Sequence, residues 1–158
     1  MNIQVKPLVA SLVLSFSAAA IGSVFTAANI PTWYAGLNKP WWSPPNWLFG
    51  PVWTLLYLLM ALSLYFVWIS PDRSPARRIG IGLFVVQIVL NTVWSIFFFG
   101  LQQPSLALVE IVILWITILL TMIYFSRVNR LSTWLLLPYL LWVSFASILN
   151  AAIFWLNR

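Results

Sequence analysis

The chain contains no cysteine and no histidine, and only two of its 158 residues are acidic. It therefore cannot form a disulfide, and it lacks the common ligands of zinc and the usual axial ligands of haem. Histidine is also the commonest general acid or base in enzymes. With Asp72 and Glu110 as the only acids, no nucleophile–base–orienter set can be assembled. No metal site or catalytic set is therefore expected, and the sequence leans away from an enzyme.

Charged residues are scarce throughout, at 6% of the chain against 63% hydrophobic residues, with a mean hydropathy of +0.98. Soluble domains carry about 25% charged residues, so this chain needs lipid as its solvent. The net charge of +6 comes from 8 basic and 2 acidic residues. Because the charges lie in short segments between apolar runs, membrane topology explains them better than a nucleic-acid partner does.

Five apolar runs cover about residues 7–27, 47–69, 79–99, 105–126 and 133–156. Each has the length of ~20 residues that a helix needs to cross a hydrocarbon core of ~30 Å. The sequence therefore predicts an all-α membrane protein, a single five-transmembrane-helix bundle over residues 1–158. The first run has an alternative as a signal peptide, since small residues follow its apolar core at 17–20. Because its apolar character continues through Phe25, we expect a retained helix.

Basic residues are divided unequally between the two predicted membrane faces. Lys39 and Arg158 lie on one face. The other face carries six basic residues: Lys6, Arg73, Arg77, Arg78, Arg127 and Arg130. The positive-inside rule therefore predicts a cytoplasmic N-terminus and an external C-terminus, as for insertion into a prokaryotic cell membrane.

A tryptophan-rich segment at 33–53 reads WYAGLNKPWWSPPNWLFGPVW and holds five of the eleven tryptophans and four of the ten prolines. Proline excludes an ordinary helix interior, and a disordered linker would be poor in aromatic residues. We expect an ordered loop, about residues 28–46, that closes the external end of the bundle as a lid. The predicted lid residues are Trp33, Lys39, Trp41, Trp42, Pro44 and Pro45.

Three side chains from different helices lie at a similar depth beneath this loop. At a rise of 1.5 Å per residue, Trp53, Asn91 and Asn150 lie about 9–13 Å below it. A carboxamide facing lipid is costly, so both asparagines should face the bundle interior. Helical spacing adds Trp94, Trp142 and Ala146 to these faces. The set predicts an aromatic pocket for a flat hydrophobic ligand, and the alternative is that these residues only hold helices together.

Glu110 is the only acid within an apolar run, about 9 Å past Pro104 on the same side. An intramembrane carboxylate is a functional candidate, with Lys39, Arg158 or an amide as its possible partner. The alternative is a carboxyl group that bonds a neighbouring helix.

Four motif blocks in order carry a family resemblance: WYAGLNKPWWSPP, VWTLLYLLMA, QIVLNTVWSIFFFG and PYLLWVSFASILNAAIFWLN. Together they resemble the TspO/translocator protein family, the tryptophan-rich sensory proteins related to the peripheral-type benzodiazepine receptor. The resemblance implies a five-helix bundle that usually forms a homodimer. It also implies a pocket, open toward the first loop, for porphyrins such as protoporphyrin IX, and no required cofactor.

The resemblance assigns ligand contacts to Tyr34, Trp53, Asn91, Trp142 and Ala146. It implies a membrane sensor or regulator of porphyrin metabolism or stress. Two alternatives are open: light-dependent porphyrin degradation, in which Trp53 and Trp142 carry oxidising equivalents, and transport of tetrapyrroles or other lipophilic ligands. The sterol motif of animal members needs a tyrosine near the end of the fifth helix. This chain has Phe154 there, so sterol binding is not expected.

Overall fold

The computed structural model describes residues 3–158, which form five long helices and no β-strand. All five are long and apolar enough to cross a membrane, so the predicted all-α five-helix architecture is confirmed. They are α1 (Val5–Asn29), α2 (Asn46–Ile69), α3 (Pro75–Ser95), α4 (Pro104–Ser126) and α5 (Arg130–Leu156), and α3 continues into a π-helical segment, Ile96–Gly100.

Several helices begin a few residues before the apolar runs that predict them. α3 begins at Pro75 rather than at 79, because Ser74 caps it by accepting a hydrogen bond from the Arg77 N–H at 3.4 Å. α5 begins at Arg130 rather than at 133, because the Asn129 side chain accepts from the next amides of the chain. Hydropathy marks where a helix crosses hydrocarbon, whereas capping residues mark where its backbone bonds begin.

The helices form a closed ring in the order α1, α2, α5, α4, α3 and back to α1. α1 packs into this ring through a buried stripe of small residues, Ser11, Ser15, Ala18 and Gly22, which allows close approach. At the contact between α3 and α4, Phe84 and Phe125 stack with ring centroids 6.0 Å apart. The first apolar run is thus one wall of the bundle.

The two ends of the bundle are packed differently. The end away from the tryptophan-rich segment is filled by fully buried side chains, including Leu64, Phe84 and Leu136. The other end holds a smaller aromatic cluster around Tyr34, Phe98 and Phe99. Space for a ligand is therefore concentrated at this second end.

Residues 30–45, named the first loop here, connect α1 to α2 and are bonded to the end of α5. The Asn38 N–H donates to Asn157 Oδ1 at 2.9 Å, and Asn157 Nδ2 donates to the Asn38 carbonyl at 2.9 Å. Lys39 Nζ donates to the Tyr34 carbonyl at 2.7 Å within the loop. The first loop and the C-terminus therefore lie at the same end of the bundle, as the topology prediction requires.

Two glycines of α3 provide a test of this packing. A Cβ on Gly80 would lie 2.8 Å from the Phe125 ring, whereas one on Gly82 would meet no atom within 4 Å. Overpacking costs about 1–3 kcal/mol or more, so Gly80→Leu should lower the thermal unfolding temperature in detergent. Gly82→Leu is the matched control and should stay within about 0.5 kcal/mol of the wild type. Equal melting temperatures for the two variants would contradict the α3–α4 contact.

Candidate ligand-binding cavity

A cavity of about 650 Å³ lies beneath the first loop. Its walls come from α1, α2, α3 with the π-helical segment, and α5, and Tyr34 contributes from the loop. Ten of its 26 lining residues are aromatic, and none of the described lining residues is charged. Its volume is within the range of about 300–1,000 Å³ typical of small-molecule sites. The cavity therefore suits an apolar, aromatic guest.

The side chains predicted from the sequence as ligand contacts come together in this one space. All seven line the cavity: Tyr34, Trp53, Asn91, Trp94, Trp142, Ala146 and Asn150. The depth count and helical spacing thus identified six side chains that share a cavity, and the family resemblance supplied Tyr34. Their contact with a ligand stays a prediction.

Asn91 bridges three helices at the floor of the cavity. Its Oδ1 accepts a hydrogen bond from the Tyr57 hydroxyl of α2, and its Nδ2 donates to the Tyr139 hydroxyl of α5 at 3.1 Å. The side chain is 2% exposed. A carboxamide offers two donor hydrogens and two acceptor lone pairs, so one of each is left after these bonds. Holding helices together and facing a ligand are compatible roles for Asn91.

Asn150 makes a second bridge, nearer the first loop. Its Oδ1 accepts from the Trp94 indole N–H at 3.1 Å, and its Nδ2 donates to the Pro104 carbonyl at 2.8 Å. The amide thereby joins α3, α4 and α5 and fixes the orientation of the Trp94 ring. The indole face of Trp94 in turn stacks on Phe98, with centroids 5.0 Å apart.

Aromatic contacts stiffen the remaining walls. Trp53 lies 5.6 Å from Tyr57 between ring centroids, and Trp142 meets Phe49 edge-on at 6.2 Å. Trp142 also contacts Phe145 at 5.6 Å. Edge-to-face and offset arrangements of this kind are favourable beyond the area they bury. They present indole faces in defined orientations to whatever occupies the cavity.

The π-helical segment is a feature of the site that the sequence did not predict. The Leu101 N–H donates to the Ile96 carbonyl at 2.7 Å, five residues back. This wider turn places the consecutive residues Phe98 and Phe99 in the same cavity wall. Single π turns are frequent at functional sites. The only sequence signal is the phenylalanine run that ends at Gly100, where a Cβ would lie 2.8 Å from the Phe25 ring.

α1 supplies a further wall that the sequence pattern did not indicate, because its lining residues are mostly small and carry no aromatic stripe. They are Phe16, Ala19, Ala20, Gly22, Ser23, Thr26 and Ala27. The sequence shows only that the first apolar run is rich in small residues, which does not by itself indicate a wall that faces a ligand.

The predicted lid residues divide into those that pack and those that do not. Trp33 packs edge-on against Phe98 at 5.6 Å, and Trp42 packs against Phe145 at 5.8 Å. Tyr34 is 2% exposed, and burial raises the pKa of its phenol. Trp41, by contrast, is 95% exposed and does not help to close the cavity.

None of the six predicted lid residues, Trp33 and Trp42 included, is part of the cavity lining. Lys39 is held over the Tyr34 ring with its Nζ 4.7 Å from the centroid, and it does not line the cavity. Pro44 and Pro45 are also outside the lining, and Pro45 precedes the first residue of α2 as its cap. The first loop thus reaches the cavity through Tyr34, while Trp33 and Trp42 pack on the lining residues Phe98 and Phe145.

Glu110 of α4 is buried, at 5% exposure, and does not line the cavity. Among residues 3–158, neither carboxyl oxygen has a hydrogen-bond partner. The expectation of Lys39 or Arg158 as its partner was wrong. Lys39 bonds to the Tyr34 carbonyl, and Arg158 lies 3.2 Å over the Trp155 ring.

The fold defines an integral multi-pass membrane protein with an aromatic cavity under a tryptophan-rich loop. A sequence model of the TspO/MBR family matches residues 10–156, so this chain belongs to that family and the predicted resemblance is confirmed.

Similar proteins match over almost the whole chain. The tryptophan-rich protein TspO of Archaeoglobus fulgidus is 47% identical, covering 98% of this chain and 99% of its own length. That of Chlorobaculum tepidum is 45% identical, covering 99% of each chain. The tryptophan-rich sensory protein of Cereibacter sphaeroides is 34% identical over 89% of this chain and 87% of its own length.

The Asn91 bridge generates a stability prediction. Asn91→Ala leaves the Tyr57 and Tyr139 hydroxyls buried without their partner, and unsatisfied buried groups cost about 1–3 kcal/mol each. We expect a clear fall in thermal unfolding temperature in detergent. Combining Asn91→Leu with Tyr57→Phe and Tyr139→Phe removes all three polar groups and should recover much of the loss. A triple variant no more stable than Asn91→Ala would contradict the bridge.

Proposed function

We propose that the cavity binds a flat macrocycle of the tetrapyrrole class, with protoporphyrin IX as the reference ligand. We further propose that the protein acts through this binding as a membrane sensor or regulator. The observation that carries the proposal is the cavity itself, about 650 Å³ in volume with ten aromatic and no charged residues among its described lining. The name of the relative from Cereibacter sphaeroides, a tryptophan-rich sensory protein, supports a sensory role.

The lining chemistry matches the two parts of such a ligand differently. Indole faces of Trp53 and Trp142 can stack on the macrocycle, and the spare amide groups of Asn91 and Asn150 can bond its edge. An uncharged lining does not favour carboxylates in the interior, because an unpaired buried charge is costly. The carboxylate tails therefore stay at the mouth, where Asn46 is both a lining and an exposed residue.

The residue inventory favours a ligand held by packing. Haem iron is usually held by histidine, cysteine, methionine or tyrosine. The chain contains no histidine and no cysteine. The metal-free porphyrin is therefore the form we propose.

Tyr34 offers a route from occupancy to a signal. It lines the cavity on one side, and its carbonyl accepts the bond from Lys39 on the other. A ligand that displaces the Tyr34 ring would move the part of the first loop that faces away from the cavity. Ligand occupancy would then be read outside the bundle as a change in loop position.

Photochemical turnover is a second candidate, favoured by the position of Trp53 and Trp142 in the same cavity. The oxidant in this proposal is dissolved molecular oxygen, which the photo-excited porphyrin sensitises, and either indole could relay the oxidising equivalents to the macrocycle. Consumption of more than one equivalent of protoporphyrin IX under light, lost in Trp53→Phe and Trp142→Phe, would support it. Turnover no faster than that of empty liposomes would exclude it.

The binding proposal predicts that a bulky side chain placed in the cavity weakens ligand binding. Ala146→Phe, at a lining position of α5, should weaken protoporphyrin IX binding about tenfold or more, the equivalent of 1.4 kcal/mol. The measurement is a titration of intrinsic tryptophan fluorescence with the protein in lipid nanodiscs. Ile148→Phe, at a 63% exposed position of the same helix, is the control and should bind as the wild type does. Absence of saturable quenching in the wild type would refute the proposal.

We also propose that the N-terminus is cytoplasmic, with the first loop and the C-terminus external, because the basic residues concentrate at the opposite end from the first loop. A membrane-impermeant maleimide tests this cleanly, since the chain has no cysteine of its own. Trp41→Cys should label in intact cells, and Ser74→Cys should label only after permeabilisation. The reverse pattern would invert the topology.

A further inference from the structure

We propose that the cavity opens sideways into the lipid between α1 and α2, and that its ligand enters and leaves through this gap. The inference rests on the proposed function, because it concerns the route of the same ligand. The gap, named the side portal here, is bordered by six residues: Ala20, Ser23 and Ala27 of α1, and Asn46, Gly50 and Thr54 of α2.

These six residues are distinguished by facing the cavity and the outside at once. Each lines the cavity and each is also exposed at the protein surface. The eleven lining residues from α3, its π-helical segment and α5 include no exposed residue. The opening is therefore confined to the α1–α2 side of the bundle.

The spacing of the six residues places them on two facing stripes. On α1 they follow each other at intervals of three and four residues, and on α2 at intervals of four, so each set shares one helix face. Their side chains are small, and a Cβ added to Gly50 would meet no atom within 4 Å. Two small-residue faces that meet across a cavity leave a gap between the helices.

The side portal lies at the depth of lipid acyl chains. At 1.5 Å per residue from the loop ends of the helices, Gly50 lies about 6 Å, Ser23 about 9 Å and Thr54 about 12 Å into the membrane. Half of a hydrocarbon core is ~15 Å thick. The portal thus communicates with one leaflet, on the side of the first loop.

Apart from the Asn46 carboxamide at its loop end, the rim of the side portal presents an apolar surface in spite of its hydroxyl groups. Ser23 Oγ donates to the Ala20 carbonyl at 2.8 Å, and Thr54 Oγ1 donates to the Gly50 carbonyl at 2.9 Å. Each hydroxyl is therefore satisfied by its own helix. A lipophilic ligand can pass without breaking hydrogen bonds, whereas a hydrated solute gains nothing there.

The alternative route, through the first loop, is closed by specific contacts. The paired bonds between Asn38 and Asn157 tie the loop to α5, and Trp33 packs on Phe98 of the π-helical segment. Deeper in the membrane the α1–α2 seam is closed as well, where Phe16 meets Tyr57 at 6.2 Å. Only the part of the seam near the loop is open.

The test measures protoporphyrin IX association and dissociation by stopped-flow tryptophan quenching, with the protein in lipid nanodiscs. Gly50→Leu and Ser23→Leu narrow the portal from its two sides. Both should slow association and also dissociation, each about tenfold or more, because a narrower passage raises the barrier in both directions. Gly82→Leu is the control, the same substitution at an exposed glycine of α3 with open space around it, and should show wild-type rates.

The dissociation rate separates a portal from a mere cavity wall. A leucine that only crowds the ligand leaves dissociation unchanged or accelerates it, and that result in both variants would overturn the portal. If the leucine variants do not fold, the Gly50→Cys variant is purified in its folded form, and its cysteine is then alkylated with N-phenylmaleimide to block the portal. Gly82→Cys, treated in the same way, is its control. If the wild type binds protoporphyrin IX but the block leaves both rates unchanged, the portal alone is overturned. If the wild type does not bind, the proposed function and the portal are overturned together.

Discussion

Two buried carboxamides, Asn91 and Asn150, find their hydrogen-bond partners on neighbouring helices, and this bundle is arranged around their bridges. Asn91 joins α3 to α2 and α5 through two tyrosine hydroxyls, and Asn150 joins α3, α4 and α5 through Trp94 and a carbonyl. Lipid offers no competing partners and no hydrophobic drive between helices. Polar bridges therefore fix which helices are neighbours, and the aromatic walls follow from where the bridges lie.

The bridges also explain why the bundle is solid at one end and hollow at the other. Below Asn91 the helices are close enough for full packing of Leu64, Phe84 and Leu136. Above it, indoles and a π-helical segment line an open space, and the first loop covers that space. A cavity that is uncharged and aromatic selects guests by shape and apolar surface. The same surface chemistry continues to the gap between α1 and α2, so selection and access involve one kind of ligand.

Much of the candidate site could be predicted because depth and helical phase are properties of the sequence. Trp53, Asn91 and Asn150 could be placed at one level by counting residues from the helix ends, and all three line one cavity. The same counting failed for Glu110, whose expected basic partners are bonded elsewhere. The lid prediction failed for Trp41, which is exposed. Rise per residue determines depth, but the azimuth of a side chain in a bundle depends on which helices are adjacent.

The sequence by itself determined the membrane environment, the five helices and the family, because hydropathy and the tryptophan-rich motif are local. Only the tertiary structure decided the ring order of the helices, the contribution of α1 to the cavity and the side portal. α1 carries small residues that signal close contact equally well with a helix or with a ligand space. Ala20 and Ser23 border an opening solely because Gly50 and Thr54 of α2 stand opposite them. An opening is a property of two surfaces that meet in space, and no single stretch of sequence contains it.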